Sequence, residues 1–343
     1  MIKQLQRILP AYGDYSYTEK EFPKVRLKKK CKSACNRVIN ILSVFALAAT
    51  TLFTLSFPAL SQAADGAIPA AVAATRSALV RIHVVSTQYD QGREQKQESY
   101  GSGVIISPDG YVVTNHHVIA DAEHVVCTLT DKRVIEAKLI GTDPLADIAV
   151  IKLPSNPAVA YSTAAFGDSS TLKVGDTVFA MGSPLSISQS VTEGIISNTE
   201  MAMPEMYMDE SLKLEGEDVG SIVLWIGHDA LIEPGNSGGP LVDKNGNVVG
   251  INEISLGLSG AIPSSLAKQI STELIAKGKV DRSWFGIQLQ PLLKSSNQTT
   301  GALISDVIPS TPAASAGMQT GDILLSVNDQ PTNAPFREQI PGI

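Results

Sequence analysis

Short apolar runs separated by turn residues fill the chain from about Ser77 to Ile262. Each run has the length and the apolar or alternating pattern of a β-strand. Pro108-Asp109-Gly110 and Lys244-Asn245-Gly246 are typical of hairpin turns. Many short strands without helices between them indicate an all-β barrel or sandwich. Strands are predicted over 79–85, 103–107, 111–114, 134–140, 147–153, 177–180, 191–197, 222–226 and 248–254.

The length of 343 residues fits about two domains behind an N-terminal leader. A helix is predicted over 263–277, where Leu266, Ile270 and Leu274 recur at helical spacing and Gly278 provides a stop. This helix is expected to close the β-rich domain.

The leader, residues 1–63, holds ten of the 27 Lys and Arg residues but only three of the 34 Asp and Glu residues. An uncharged apolar segment follows the basic residues, from Val38 to Phe57. Small residues at Ser61 and Ala63 allow cleavage of an export signal before Ala64. The apolar segment is also long enough to remain as a membrane anchor. In both cases the chain from about residue 64 is expected in a periplasmic or other extracytoplasmic space, either secreted or anchored to the inner membrane.

The exported part then carries 17 basic and 31 acidic residues, which argues against nucleic acid as a partner. Cys31 and Cys35 lie in the leader, so Cys127 has no intrachain cysteine partner after residue 64 and is expected to be a buried apolar side chain. The histidines have no companions that suggest a metal site, and neither a metal nor another cofactor is expected.

The segment Gly235-Asn236-Ser237-Gly238-Gly239-Pro240-Leu241 fits a serine nucleophile held on a tight turn before a strand. A serine hydroxyl needs a general base and a group that orients the base. Thr114-Asn115-His116-His117-Val118 closes a strand-like run and offers His116 or His117. Asp143 and Asp147 stand at the start of another apolar run.

These segments, in the order His, Asp, Ser, resemble those of the HtrA/Deg (Do-like) family of trypsin-like serine proteases. The resemblance implies a chymotrypsin/trypsin-like double β-barrel with the active site between the barrels. It places the base at His117 rather than His116, the orienting carboxylate at Asp147 and the nucleophile at Ser237. The oxyanion hole would be formed by the backbone N–H groups of Gly235 and Ser237. Adjacent residues of a strand point to opposite faces, so only one of the two histidines is expected to face the cleft.

The same resemblance implies a shallow apolar specificity pocket at Ile232 and Leu258, with a preference for small aliphatic side chains. Glu233, His228 and Gly260 depart from the residues usual in the family and put this pocket in doubt. The methionine-rich segment 198–220 is predicted to be a surface regulatory loop or an insertion without a role.

From Trp284-Phe285-Gly286-Ile287 to Gly321-Asp322-Ile323-Leu324 the chain resembles a PDZ module. The predicted organisation is a leader over 1–63, a protease domain over 64–278 and an incomplete PDZ-like domain over 279–343, which is expected to be poorly ordered or not to bind peptides.

The function that the resemblance implies is ATP-independent cleavage of unfolded, misfolded or regulatory envelope proteins by a homo-oligomer, commonly a trimer. The alternative is a non-catalytic chaperone or scaffold that has kept the protease fold.

Overall fold

The structure is a computed structural model that describes residues 68–90, 92–155, 160–183, 189–202, 213–214, 217–255, 257–292 and 300–332. The leader, with its predicted export signal or anchor, lies outside these residues, as does most of the methionine-rich segment. Across the described ranges, no helix is both long and apolar enough to cross a membrane.

The first half of the β-rich region forms a closed six-stranded barrel in the order β1-β2-β3-β6-β5-β4, with antiparallel neighbours. A short helix, α1 (Ala70–Thr75), and a 3-10 turn, Arg76–Ala78, precede it. The strands are β1 (Leu79–Asp90), β2 (Arg93–Ile105), β3 (Tyr111–Thr114), β4 (Ala122–Leu129), β5 (Val134–Asp143) and β6 (Ile148–Lys152). Their inward-facing side chains, Cys127 among them, form a continuous apolar core.

A second closed barrel has the strand order β11-β14-β13-β12-β7-β8. A 3-10 turn, Ser169–Thr171, lies between the barrels in sequence, and the pair β9 (Lys213–Leu214) and β10 (Glu217–Asp218) stands apart from them. The barrel strands are β7 (Thr177–Gly182), β8 (Ser190–Met201), β11 (Trp225–His228), β12 (Pro240–Asp243), β13 (Val248–Ser255) and β14 (Ser259–Pro263). The prediction of an all-β double barrel is therefore confirmed.

Both predicted hairpin turns are present. Gly110 N–H donates to Ser107 O at 3.0 Å and Gly246 N–H donates to Asp243 O at 3.0 Å, each glycine having a positive φ. The Asp243 carboxylate accepts the backbone N–H groups of Asn245 and Asn247, which fixes the second turn.

Helix α3 (Ser264–Lys277) follows β14 and ends at Gly278, whose left-handed φ of 75° closes the helix with a hydrogen bond to Leu274 O. Its bounds agree with the predicted helix to within one residue. Ala267, Ile270 and Leu274 are buried in the same core as the first barrel. The helix therefore packs its apolar face onto the barrels.

Beyond α3 lies a small unit of three- and two-stranded sheets, which we call the PDZ-like segment (residues 279–332). Its strands are β15 (Ile287–Gln290), β16 (Ala302–Val307), β17 (Ile323–Leu324), β18 (Ser326–Val327) and β19 (Gln330–Pro331). Thr311 caps the one-turn helix α4 (Pro312–Ser315) by accepting the N–H of Ala314. Residues 333–343 lie outside the described residues.

Candidate active site

His117 and Asp147 meet because of the register between two strands of the first barrel. In the antiparallel pair of β3 and β6, Thr114 stands opposite Ala149. The residues that follow β3 therefore lie beside the residue that precedes β6. His117 Nδ1 is 2.7 Å from Asp147 Oδ2, and the His117 backbone N–H donates to Asp147 Oδ1 at 2.9 Å.

Asp147 is 0% exposed, whereas a third of the His117 side chain is exposed. Burial alone lowers the pKa of His117, but the charge of Asp147 and the hydrogen bond to it raise the pKa above its ordinary value overall. Asp147 has a positive φ of 50° on a turn closed by its N–H to Pro144 O. Asn115 Nδ2 holds the turn by donating to Asp147 O at 2.9 Å.

The competing histidine and aspartate have other partners. His116 is buried with its Nδ1 2.5 Å from Thr142 Oγ1, and Asp143 pairs with Arg282. The strand predicted over 111–114 is β3, but the treatment of His116 and His117 as adjacent strand residues was wrong, because His116 begins the one-turn helix α2 (His116–Ile119). Neighbours on a helix diverge by about 100° rather than 180°, and this still directs the two rings to different partners.

Ser237 follows a tight turn that the sequence specifies. Asn236 N–H donates to Glu233 O at 2.9 Å, and Gly235 has a φ of 104°. A proline at the second position and a glycine of positive φ at the third define a type II β-turn over residues 233–236. Pro234 fixes the backbone at the second position of the turn, and Gly235 takes a conformation that side chains disfavour.

The loop that carries Ser237 is clamped by the first barrel. Ser102 Oγ on β2 donates to Gly235 O at 2.7 Å and accepts the Ser183 N–H at 2.9 Å, while Ser102 N–H donates to Ser237 O at 2.8 Å. A side chain at Gly238 would overlap Ser102 O and Thr114 Oγ1. The loop therefore sits against the end of β3, from which His117 departs. Sequence reasoning missed Ser102, which has no distinguishing motif.

The Ser237 hydroxyl donates to Glu253 O on β13 at 3.2 Å. The contact arises because Pro240 stands opposite Ile251 in the pair of β12 and β13, so residues before Pro240 lie beside those after Ile251. Gly238 N–H likewise donates to Asn252 O at 2.8 Å.

Glu253 is a second feature that sequence reasoning missed. Its side chain is buried, its Oε2 accepts the indole N–H of Trp225, and its Oε1 lies beside Gly220, whose N–H donates to Pro144 O in the turn before Asp147. Burial, followed by the charge of Asp147, raises the pKa of Glu253 well above its usual range. The available signal was a single acid inside the apolar run of β13.

The residues implied for the specificity pocket lie in the second barrel. Ile232 is buried within the core of this barrel, and Leu258 is half-buried between β13 and β14. A Cβ at Gly227 would lie 2.9 Å from Leu258 Cδ2 and 3.2 Å from Met201 Sδ, and one at Gly260 would lie 2.9 Å from Met201 Cε. Met201 thus fills the space beside two glycines, one of which departs from the family pattern.

The other histidines and the cysteine noted in the sequence have different surroundings. His228 is buried, and burial lowers its pKa to about 4. His83 stacks on Tyr100, and His124 pairs with Glu136 at the surface. Burial raises the pKa of the Cys127 thiol to about 12. Within the described ranges, no group of three His, Cys, Asp or Glu residues is arranged to hold a metal ion.

Two family models match the chain. A trypsin-like peptidase domain matches residues 101–251, and a PDZ domain matches residues 303–339. The first match spans His117, Asp147 and Ser237.

Known proteins agree with these matches. Proteins named probable periplasmic serine endoprotease DegP-like are 41% identical in Pseudomonas fulva, over 70% of this chain and 49% of theirs, and in Bartonella henselae, over 68% and 46%. The chain thus spans about half the length of these curated relatives. Among solved structures, an HtrA-type protease AlgW with tripeptide aligns with a TM-score of 0.62 and 32% identity, over 76% of this chain and 83% of that one. The serine endoprotease from Yersinia pestis aligns with a TM-score of 0.55 and 33% identity, over 77% and 84%.

Proposed function

Since the chain belongs to the HtrA-type family of trypsin-like serine proteases, we propose that it is a serine endopeptidase that acts through His117, Asp147 and Ser237. The observation that carries this proposal is the 2.7 Å contact between His117 Nδ1 and the buried Asp147, at the end of the barrel that clamps the Ser237 loop.

In the proposed mechanism, neutral His117 accepts the hydroxyl proton of Ser237 as Oγ attacks the carbonyl carbon of a peptide bond. In the structure the Ser237 hydroxyl donates a hydrogen bond to Glu253 O. The hydroxyl must therefore turn toward the imidazole before attack. Asp147 accepts a hydrogen bond from the Nδ1–H group, which holds the tautomer with Nε2 free to act as a base, and its negative charge stabilises the imidazolium that forms. His117 then returns the proton to the leaving amine, and water hydrolyses the acyl-enzyme.

The negative charge that develops on the carbonyl oxygen would be held by the backbone N–H groups of Gly235 and Ser237. The type II turn over 233–236 supports this assignment, because it sets the orientation of the peptide that carries the Gly235 N–H. Ser102 holds the adjacent peptide of the turn by donating a hydrogen bond to Gly235 O, while its Oγ accepts the N–H of Ser183. A preorganised donor of this kind is worth about 3 kcal/mol of transition-state stabilisation.

We propose unfolded, misfolded or regulatory envelope proteins as substrates, with cuts after small aliphatic residues. Ile232 and Leu258 are the pocket residues implied by the family, and Met201 narrows the adjoining space beside Gly227 and Gly260. A narrow apolar space suits Val, Ala, Ile or Leu better than an aromatic side chain.

The names of the relatives and the basic leader followed by an apolar segment support a periplasmic location for the protease domain, residues 64–278, and the PDZ-like domain, residues 279–343. The apolar segment 38–57 would be removed as a signal or retained as an inner-membrane anchor. We also propose a homo-oligomer, a trimer by family resemblance. Fractionation of cells and light scattering of the purified protein test these two points.

The test of the activity is cleavage of unfolded casein by the full chain in mild detergent, compared with Ser237→Ala. Ser77→Ala, a change at an exposed serine, is the matched control and should cleave like the wild type. Sites of cleavage are read by mass spectrometry. Cuts after small aliphatic residues that disappear only in Ser237→Ala support the proposal.

A wild-type protein that is folded by circular dichroism yet cleaves nothing would contradict the proposal. Suppression of casein aggregation by the same inactive protein would then favour the alternative, a non-catalytic chaperone or scaffold.

A further inference from the structure

Glu253 is a buried acid of the second barrel that lies next to groups of the proposed mechanism. It is 7% exposed and lies on β13 of the second barrel, whereas Asp147 belongs to the first barrel. Its backbone oxygen accepts the Ser237 hydroxyl, and its Oε2 accepts the Trp225 indole N–H. Its Oε1 borders Gly220, which is bonded to the turn before Asp147, and the negative charge of Asp147 acts on the carboxyl group. One residue thus adjoins both the nucleophile and the orienting carboxylate.

The surroundings of Glu253 are built closely around its carboxyl group. Gly220 has a positive φ of 68°, and a Cβ there would lie 2.8 Å from Glu253 Oε1. Gly220 N–H donates to Pro144 O, and Ile222 N–H donates to Leu145 O, so this segment also holds the turn that ends at Asp147. Trp225, 1% exposed, supplies the indole donor.

The hydrogen-bond donors decide which of the two carboxyl groups is ionised. Asp147 already accepts the backbone N–H and the ring N–H of His117, and both bonds favour the carboxylate. Glu253 receives the single indole N–H of Trp225. Two buried carboxylates side by side would repel each other, so the more weakly supported one keeps its proton.

We propose that Glu253 is a positioning residue which, as a neutral carboxylic acid, donates a hydrogen bond to the Asp147 carboxylate and so tunes the basicity of His117. The inference rests on the proposed function but concerns a group that the His-Asp-Ser mechanism does not require. The facing groups are Asp147 from the turn before β6, with His117 beyond it, and Trp225 from β11. Gly220 presents backbone.

The consequence for His117 has a definite sign. A hydrogen bond donated to Asp147 withdraws part of its negative charge, which weakens its attraction for the imidazolium. Removal of the donor raises the pKa of His117, and loss of a neighbouring negative charge would lower it.

The test compares Glu253→Gln with Glu253→Leu in the full chain. The amide of glutamine can donate to Asp147 and accept from Trp225 without carrying charge, whereas leucine has a similar volume and neither ability. Glu193→Gln, the same change at an exposed carboxylate of β8, is the control. We expect Glu253→Leu to lower kcat/KM by about tenfold to a hundredfold and to move the acid limb of the pH profile to higher pH. Glu253→Gln should restore most of the rate and keep the limb in place.

A shift of the acid limb to lower pH in Glu253→Gln would overturn the proposal, because it would mean that Glu253 is anionic in the wild type. An unchanged rate and limb in Glu253→Leu would also overturn it, since no positioning role would then exist.

A readout independent of peptidase activity separates this inference from the proposed function. The His117 ring can be titrated by NMR with ¹⁵N-histidine in the Ser237→Ala background, with and without the Glu253 changes. A His117 titration that moves only in the leucine variant supports the role of Glu253 even if the wild type cleaves no substrate. A titration unaffected by both variants contradicts it.

Discussion

At the scale of single residues, the candidate site depends on a few side chains with one specific partner each. Asp147 contacts His117 through both of its carboxylate oxygens, and Asp143, four residues earlier, pairs with Arg282 instead. The two aspartates stand at the start of the same apolar run but contact different residues. Gly235 is equally specific, because the turn at Ser237 uses its positive φ.

We predict that Asp147→Asn reduces kcat by roughly ten-thousandfold, because an amide can no longer hold the tautomer with the Nδ1 proton. Activity is measured on a fluorogenic peptide at a temperature at which circular dichroism shows an intact fold. Asp143→Asn makes the same change at the neighbouring aspartate and should keep its rate within threefold, as expected if Asp143 serves only Arg282. Equal losses in both variants would refute the assignment of the orienting carboxylate.

The pH profile of the wild type has a predicted sign. Because Asp147 raises the pKa of His117, kcat/KM should fall on acidification with a midpoint above the ordinary histidine value of about 6.5. The same shift contributes folding stability below pH 6.5, and this contribution is lost as the pH rises through the folded-state pKa. Rates measured from pH 5 to 9 test the profile, and a midpoint below 6.5 would contradict it.

We predict that Gly235→Ala lowers kcat/KM by about a hundredfold through displacement of the Gly235 N–H, and that the strained φ lowers the free energy of unfolding by about 1–2 kcal/mol. Gly175→Ala is the matched control, since Gly175 has a similar φ of 95° and no atom near its Cβ position. The control should lose comparable stability by chemical denaturation and keep full activity. Normal activity in Gly235→Ala would exclude the turn from the mechanism.

At the scale of elements, strand register and a single clamp assemble the site. The pair of β3 and β6 brings His117 to Asp147, and the pair of β12 and β13 brings Ser237 to Glu253. Ser102 on β2 joins the two barrels by its hydrogen bonds to Gly235 O and Ser183 N–H. The strands therefore define the two halves of the site, and the hydrogen bonds of Ser102 hold the two halves together.

We predict that Ser102→Ala leaves these two buried groups without a partner and lowers the free energy of unfolding by about 1–3 kcal/mol. It should also lower kcat/KM, since the type II turn loses its anchor. Ser264→Ala removes another largely buried hydroxyl, that of the first residue of α3, which donates to Gly167 O. This control should lose stability alone. A rate unchanged in Ser102→Ala would show that the turn holds without the clamp.

At the scale of the whole molecule, an ion pair joins the PDZ-like segment to the first barrel. Arg282, just after α3, pairs with the buried Asp143 of β5. The α3 helix packs on the barrel core immediately before this contact. An ion pair with one buried partner is costly to break from one side, because the remaining charge stays buried.

We predict that Arg282→Ala lowers the free energy of unfolding of the barrels by about 1–2 kcal/mol. Lys279→Ala, which removes an exposed cation paired with Asp281 in the same connection, should change it by less than about 0.5 kcal/mol. Denaturation followed by tryptophan fluorescence tests both. Equal effects would show that the buried contact contributes nothing beyond surface charge.

Much of the fold and part of the site could be predicted locally. The alternating runs, the Pro-Asp-Gly and Asn-Gly turns and the Gly278 stop each act within a few residues, so most barrel strands and α3 could be placed. β4 was not among the predicted strands, and the strand predicted over 222–226 lies at Trp225–His228. The extent of β2, which begins ten residues before the predicted strand, could not be predicted, because its exposed first half has no apolar pattern and is held by pairing with β1.

What the sequence by itself determined is the local chemistry: the strand pattern, the turn at Pro234-Gly235, and the presence of a histidine, an aspartate and a serine in separate segments. The family resemblance singled out His117 and Asp147, but only the tertiary structure brings them into contact and gives His116 and Asp143 other partners, because all these partners lie far apart in the chain. The same holds for Ser102 and Glu253. The hydrogen bond of Ser102 to Gly235 O crosses from one barrel to the other, and burial raises the pKa of Glu253 in a way that no local pattern encodes.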